Sequence, residues 1–191
     1  MNILEISERL QFQYLIHNGF ESTQAQEEVQ RKGYEKLARG EVALEALELG
    51  QQFIQEIQEG YVVDASVHFI NEQVGYGLFA KRVIEPGDFV GEYTGIVRKN
   101  DRRYLEPLNN YCYEYPILDS IHRSYVIDAT QGNLTRFINH SFTPNLRPVY
   151  AFIDGYYHCI FRAFSLIEKG SQLSYDYGKS YWYIREAPEP L

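Results

Sequence analysis

The sequence predicts a β-rich α+β fold in which many short strands follow an N-terminal helical region. In roughly the first 58 residues, apolar side chains recur at helical spacing. From Tyr61 onward, short runs of Val, Ile, Tyr and Phe alternate with turn residues. With 191 residues, 45% of them hydrophobic, the chain can build one domain and a modest extension. We therefore expect a helical region at 1–60, a main domain at 61–182 and a tail at 183–191.

The N-terminal region is expected to form three helical segments. The first should end near Gly19, and the second should begin at Thr23, which forms a capping-box pattern with Gln26, and run toward Gly40. The third should be interrupted or kinked at Gly50. The pattern leaves open whether these helices pack on the main domain, recruit a substrate or join two copies in a homodimer.

The main domain contains short strand-forming runs separated by turns. The runs are YVVDASVHFI, GLFA, DFVGEYTGIV, YCYEY, YVIDA, PVYAFI and YYHCIFRAF. Asp154-Gly155 separates the last two runs, and Asp-Gly between strands is typical of a tight hairpin turn. This spacing indicates a compact domain with few helices.

Charge and composition limit the class of protein. The formal net charge is −8, and the first 60 residues carry 11 Glu against 5 Lys and Arg. This acidity argues against direct binding to nucleic acid and suits a basic protein partner, although charge alone favours the simpler explanation of a solvated helical face. No apolar run approaches the roughly 20 residues that span a bilayer, so no membrane association is expected. Two cysteines without a CxxC pair indicate an intracellular, soluble protein without a disulfide framework.

Four sequence blocks indicate the chemistry. They are GYGLFAKRVIEPGDFVGEYTG at 75–95, YVIDA at 125–129, GNLTRFINHSFTPN at 132–145 and KGSQLSYDYG at 169–178. In this order and spacing they resemble the SET domain of protein lysine methyltransferases, over roughly Val67 to Trp182. The resemblance implies short-stranded sheets with a knot-like threaded C-terminal segment. It also implies S-adenosylmethionine as the methyl donor and a lysine of another protein as the acceptor.

The same resemblance assigns residues to the cofactor. Glycines let the backbone approach a ligand closely, and amide and imidazole groups supply donors and acceptors for its polar ends. The positions that match the family's cofactor site are Gly75, Tyr76, Gly77, Tyr111, Arg136, Asn139 and His140.

Three tyrosines match catalytic positions of the family. Tyr177 corresponds to the tyrosine at the methyl-transfer point, and Tyr93 to one that lines the lysine channel. Tyr175 stands where relatives carry Phe or Tyr, and Tyr there generally restricts methylation to the early stages. We therefore expect mainly monomethylation or dimethylation.

Some features depart from the family pattern. Phe142 replaces a cysteine that binds zinc in many relatives, and no cysteine follows Cys159, so no metal is expected. Tyr181, Trp182 and Tyr183 are the candidates to close the pockets instead. These departures resemble small stand-alone bacterial and viral SET proteins that methylate histones or histone-like proteins. The location would then be the nucleus and its chromatin or the bacterial cytoplasm, with a secreted effector also open.

Other functions compete with this interpretation. The fold could be a catalytically silent interaction module, or the target could be a lysine of a non-histone protein. A hydrolase built on His140 and Ser141 is disfavoured, because the sequence has no G-x-S-x-G elbow.

Overall fold

The computed structural model describes residues 3–100, 109–119, 121, 123–183 and 185. Helix α1 spans Ile3–Arg9, and Gln11 follows it with a positive φ of 52°. The chain then runs extended as an N-terminal strap (residues 10–20) that ends in strand β1, Gly19–Phe20. The predicted first helix was therefore too long. The strap is extended because Leu15 N donates to Gly132 O at 3.1 Å, and Gly132 N donates to Gln13 O at 3.1 Å.

Helix α2 spans Thr23–Ala38 and packs on the main domain. Its N-cap is Ser22, whose hydroxyl accepts a hydrogen bond from Ala25 N at 3.1 Å, so the predicted start was right within one residue. At Gly33 the helix lies so close to a turn that an added Cβ would meet Gly155 O at 1.8 Å. The glycine is thus a packing requirement.

Helices α3, Leu44–Gln52, and α4, Ile54–Glu59, complete the N-terminal region. The interruption expected at Gly50 is wrong, because the helices separate at Phe53. Gly50 is an ordinary helical residue whose missing side chain lets α3 approach strand β9 (Leu146–Ile153). A Cβ there would lie 2.2 Å from Phe152 O.

The main domain consists of small sheets built from the predicted runs. Strands β2, Ala65–Asn71, and β3, Gly75–Ala80, form an antiparallel pair. Strand β4, Phe89–Glu92, pairs with β10, Tyr156–Ala163, which also pairs with β9. Strands β5, Ile96–Lys99, β7, Ser124–Asp128, and β6, Cys112–Leu118, lie side by side, with β1 on the outer edge of β5. Asp154 and Gly155 form the β9–β10 turn at φ values of 50° and 85°, which confirms the predicted hairpin.

Two very short strands bring the C-terminal segment into the centre. Strand β8, Asn139–His140, pairs in parallel with β11, Ser174–Tyr175. Ser141 N also donates to Tyr175 O at 3.1 Å, and Asn145 N to Ser174 O at 3.2 Å. Helix α5, Lys179–Trp182, follows directly. The predicted tail at 183–191 lies largely outside the described residues.

One hydrophobic core joins the N-terminal region to the main domain. Buried side chains of the first 60 residues share a cluster with those of the strands; among them are Ile6, Phe12, Ala25, Val29, Val42 and Ala46. Of the arrangements that the sequence left open for the helices, the structure shows packing on the main domain. In the described part of the chain, no helix is long and apolar enough to cross a membrane.

Candidate active site

The first wall of the site is the start of β3. Gly75 has a φ of 78°, which glycine adopts without strain. Gly77 lies against another segment, because a Cβ there would meet Asn139 Nδ2 at 3.1 Å and Gln172 Nε2 at 2.9 Å. Asn139 Nδ2 donates to Tyr76 O at 3.0 Å. These contacts join the glycine segment to the Asn-His step of β8.

A buried polar network holds the Asn-His step in place. A 3₁₀ helix, Leu134–Phe137, precedes it, and the Asn133 side chain caps that helix by accepting from Thr135 N at 2.9 Å. Asn133 Nδ2 donates to Glu92 O at 2.9 Å, and the Thr135 hydroxyl donates to the same oxygen at 3.1 Å. The loop is therefore fixed to the end of β4, one residue before Tyr93.

Pairing of β8 with β11 places Tyr177 beside the same loop. Tyr177 N donates to His140 Nδ1 at 3.1 Å, and the Tyr177 hydroxyl donates to Ile138 O at 3.0 Å. The ring centroids of Tyr177 and His140 are 5.4 Å apart. Backbone and side chain of Tyr177 are thus both held by residues 138–140.

Two buried ring nitrogens at this point have no hydrogen-bond partner among the described residues: His140 Nε2 and Trp182 Nε1. Because His140 Nδ1 accepts from Tyr177 N, the imidazole proton belongs on Nε2, which makes both atoms donors. The two ring centroids are 4.9 Å apart. Leaving a buried donor unpaired costs about 1–3 kcal/mol, so the pair fits a ligand that offers acceptor nitrogens or oxygens.

The protonation state of His140 predicts that the stability of the fold depends on pH. Burial lowers the pKa of His140, although Asp176, with its Oδ1 at 3.6 Å, opposes the effect. The unfolded chain therefore binds more protons than the folded one as pH falls below about 6.5. We expect the stability that neutral His140 contributes to be full above that pH and to be lost progressively below it.

Urea unfolding of the unmutated protein and of His140→Gln at pH 7.5 and 5.5 would measure this effect. The free-energy difference between the two proteins should shrink at the lower pH. A difference that stays constant or grows on acidification would contradict the assignment of a neutral buried imidazole.

An aromatic cluster forms the second wall. The Tyr175 ring lies 4.6 Å from Tyr177, 5.0 Å from Phe161 and 6.3 Å from Tyr113, measured between centroids. Tyr93 joins the cluster at 6.0 Å from Phe161 and 5.8 Å from Tyr113. The sequence-predicted Tyr93, Tyr175 and Tyr177 therefore lie in one contiguous cluster.

The phenols of this cluster are neutral hydrogen-bonding groups. Burial raises the pKa of Tyr93, Tyr175 and Tyr177 well above the ordinary value of tyrosine. None of the three can serve as a phenolate base near neutral pH. Their chemical roles are to donate hydrogen bonds, present ring faces and exclude water.

Tyr111 and Arg136 support the cluster from outside. Tyr111 O accepts from the Tyr93 hydroxyl at 2.8 Å. Arg136 Cζ lies 4.1 Å from the Tyr111 ring centroid, and the Arg136 guanidinium donates to Ala129 O at 2.8 Å and Thr130 O at 3.3 Å. These contacts give Arg136 a supporting role, and its assignment to the cofactor stays a prediction.

Helix α5 covers the His140 side of the site. Tyr181 lies 4.7 Å from Tyr177, and Trp182 stacks on Tyr177 with an interplanar angle of 10°. Arg185 fixes the helix, because it donates to Asn109 O and stacks on Tyr181 at 4.1 Å. Tyr181 and Trp182 therefore pack over Tyr177, whereas Tyr183 is 90% exposed.

Sequence reasoning missed some residues of the site. Tyr113 belongs to the aromatic cluster, and strand alternation in YCYEY could have shown that it shares a face with Tyr111. Ile138 contributes only its backbone carbonyl, which no side-chain pattern reveals.

Phe142 is 52% exposed, and its ring packs edge-on against His140. The described residues contain no cluster of three potential metal ligands.

A scan against protein families matches the SET domain model to residues 75–178, more than half of the chain. A human protein, histone-lysine N-methyltransferase EHMT1, is 35% identical over 117 residues, which are 59% of this chain and 9% of that protein. Histone-lysine N-methyltransferase trithorax of Drosophila virilis is 38% identical over 109 residues, which are 54% of this chain and 3% of that protein. The chain thus spans less than a tenth of either relative.

Solved structures show the same fold. Chaetomium thermophilum Polycomb Repressive Complex 2 matches with a TM-score of 0.55 and 28% identity, over 68% of this chain and 17% of that one. A structure described as this complex in an autoinhibited conformation, bound to S-adenosylmethionine, matches with a TM-score of 0.55 and 28% identity, over 69% and 18%.

Proposed function

The chain belongs to the SET-domain family, and on that premise we propose that it is an S-adenosylmethionine-dependent protein-lysine N-methyltransferase. The observation that carries the proposal is the convergence of three segments on one site. Gly77 at the start of β3 lies against Asn139, the adjoining His140 accepts from Tyr177 N, and the Tyr177 hydroxyl donates to Ile138 O.

The polar groups of the site fit S-adenosylmethionine. Adenine offers ring nitrogens as acceptors, which suit the unpaired donors His140 Nε2 and Trp182 Nε1. Asn139 uses its Nδ2 on Tyr76 O, so its Oδ1 can accept from the ammonium of the methionine part. Aromatic faces such as that of Tyr177 attract the sulfonium cation. When bound, the cofactor supplies an electrophilic methyl group to an attacking amine.

The aromatic cluster would prepare the target lysine. An ordinary lysine has a pKa of about 10.4, so making its amine neutral at pH 7 costs about 4.6 kcal/mol. A dry channel of ring faces disfavours the ammonium form and lowers that pKa. Tyr93 and Tyr175 are each less than a tenth exposed, which supports such an environment. The channel also aligns the nitrogen with the methyl group, which lowers the barrier further.

We take the substrate to be a basic protein, such as a histone or histone-like tail. The net charge of −8 favours encounter with a cationic partner and disfavours direct contact with nucleic acid. The names of the curated relatives point to histones in those proteins. A homodimer through the N-terminal helices stays a prediction, which light scattering would test.

The deciding experiment is incubation of the protein with labelled S-adenosylmethionine and a panel of basic proteins, including histones and ribosomal proteins. Transfer of label onto a lysine, identified by mass spectrometry, would support the proposal. Label on ribosomal proteins alone would keep the enzyme and change its target. Cofactor binding without transfer to any protein would indicate a silent interaction module.

Tyr175 is expected to limit the number of methyl groups. It lies against Tyr177 and Phe161, and no described residue hydrogen-bonds its hydroxyl, so that hydroxyl can hold a water molecule beside the amine. Such a water occupies space that a methylated amine needs. With Tyr175→Phe, the water loses a hydrogen bond worth about 0.5–1.5 kcal/mol, so a methylated amine displaces it more easily. We expect the second and third transfers to speed up by about tenfold.

Mass spectrometry of a methylated substrate over time would follow the product states. Tyr34→Phe, on the outer face of α2, is a control that should keep the original product distribution. Abundant trimethyl product from the unmutated protein would refute the role of Tyr175.

A further inference from the structure

An aromatic side chain of the N-terminal strap reaches the back of the site. Phe12 is 6% exposed, and its ring lies edge-on to Phe137 with centroids 5.7 Å apart. Arg136 Cζ lies 4.5 Å from the Phe12 ring centroid. Phe12 therefore contacts two residues of the 3₁₀ helix that leads to Asn139.

The Arg136 guanidinium transmits this contact to a second part of the site. It contacts the rings of Phe12 and Tyr111, and its N–H groups donate to Ala129 O and Thr130 O. Tyr111 O accepts from Ala129 N at 3.0 Å as well as from the Tyr93 hydroxyl at 2.8 Å. A shift of the Arg136 guanidinium would thus move Tyr111 O, the carbonyl oxygen that orients Tyr93.

The strap has its own anchors, which do not involve the Phe12 side chain. Leu15 N donates to Gly132 O at 3.1 Å, and Leu15 O accepts from the Thr94 hydroxyl at 2.8 Å. Gly19 N donates to Gly95 O at 2.9 Å. A substitution at Phe12 can therefore be made while the strap keeps its path.

We propose that Phe12 is a positioning residue of the methyltransferase site. Through Arg136 and Phe137 it sets the placement of the Asn139-His140 step, and through Arg136 and Tyr111 it sets the orientation of Tyr93. The N-terminal strap then positions residues of the cofactor and lysine sites in addition to packing on the main domain. This inference rests on the proposed function.

Phe12→Leu tests the inference, because leucine keeps most of the apolar volume and removes the ring face that attracts the guanidinium. Phe20→Leu is the matched control, since Phe20 belongs to the same strap but its ring packs on Tyr156 at 5.6 Å, away from Arg136. Calorimetry with S-adenosylhomocysteine gives a dissociation constant without turnover. Hydrogen exchange of residues 134–140 in the free protein reports the loop directly, and thermal melts compare the stability of the two variants.

With Phe12→Leu, we expect the dissociation constant to rise about tenfold and exchange at residues 134–140 to accelerate. Phe20→Leu should change the constant by less than about twofold at a comparable loss of melting temperature. Equal effects of both variants, or no effect of Phe12→Leu on either readout, would overturn the positioning role of Phe12 and leave the proposed function standing. A failure of the unmutated protein to bind the probe would overturn this inference and the proposed function together.

Discussion

Replacement of Tyr177 by Phe should lower kcat by about 100-fold or more. The hydroxyl is the only group removed, and it donates to Ile138 O at 3.0 Å, where the proposed cofactor and lysine sites would meet. Loss of one oriented donor at a reacting centre typically costs a factor of about 10²–10³. Single-turnover assays with labelled S-adenosylmethionine would measure the effect.

Binding of the cofactor should change by no more than about threefold in the same variant. The Tyr177 ring that stacks on Trp182 remains, and the hydrogen bond to His140 comes from the backbone nitrogen of residue 177. Tyr156→Phe removes the hydroxyl of a tyrosine whose ring packs on Phe20 of the strap, and it serves as the control. If the Tyr177→Phe protein turned over at near the original rate, a catalytic role of the Tyr177 hydroxyl would be wrong.

Replacement of Gly33 by Ala should destabilise the fold by about 3 kcal/mol or more. A Cβ at this position would lie 1.8 Å from Gly155 O and 2.7 Å from the Gly155 carbonyl carbon, so helix and turn must separate. Alanine gains about 1 kcal/mol of helix propensity over glycine, which does not offset overpacking against rigid backbone. For a chain of this size the melting temperature should fall by about 6–12 °C.

Gln26→Ala is the matched control on the exposed face of the same helix and should change stability by less than about 0.5 kcal/mol. Denaturant titration of both variants would give the free energies of unfolding. If Gly33→Ala were as stable as the unmutated protein, the close approach of α2 to the β9–β10 turn would be wrong.

The β-rich part of the fold was predictable because its signals are local. Asp154-Gly155 specifies a tight hairpin by backbone preference alone, and the alternating runs on either side became β9 and β10. The assignment of Asn139 and His140 to the site came instead from the resemblance of the motif at 132–145 to the SET domain. Their contacts with Tyr76 and Tyr177 join distant segments, which no local pattern specifies.

The misjudged elements depend on tertiary contacts. Tyr14 and Leu15 continue an apolar helical pattern, yet hydrogen bonds to Gly132 make that segment extended. Gly50 looked like a helix breaker, whereas its lack of a side chain admits the backbone of Phe152. Phe12 belongs to no sequence motif. Its contacts with Arg136 and Phe137 exist only in the folded protein.

The parallel pairing of β8 with β11 has a consequence for biosynthesis. His140 and Tyr175 are register partners although many residues separate them in the chain, and contacts of such long range form slowly. On the ribosome, the first part of the chain can collapse while the segment that supplies Tyr177 is still being translated. The site around Tyr177 should therefore stay incomplete until that segment has left the exit tunnel and β11 has paired with β8.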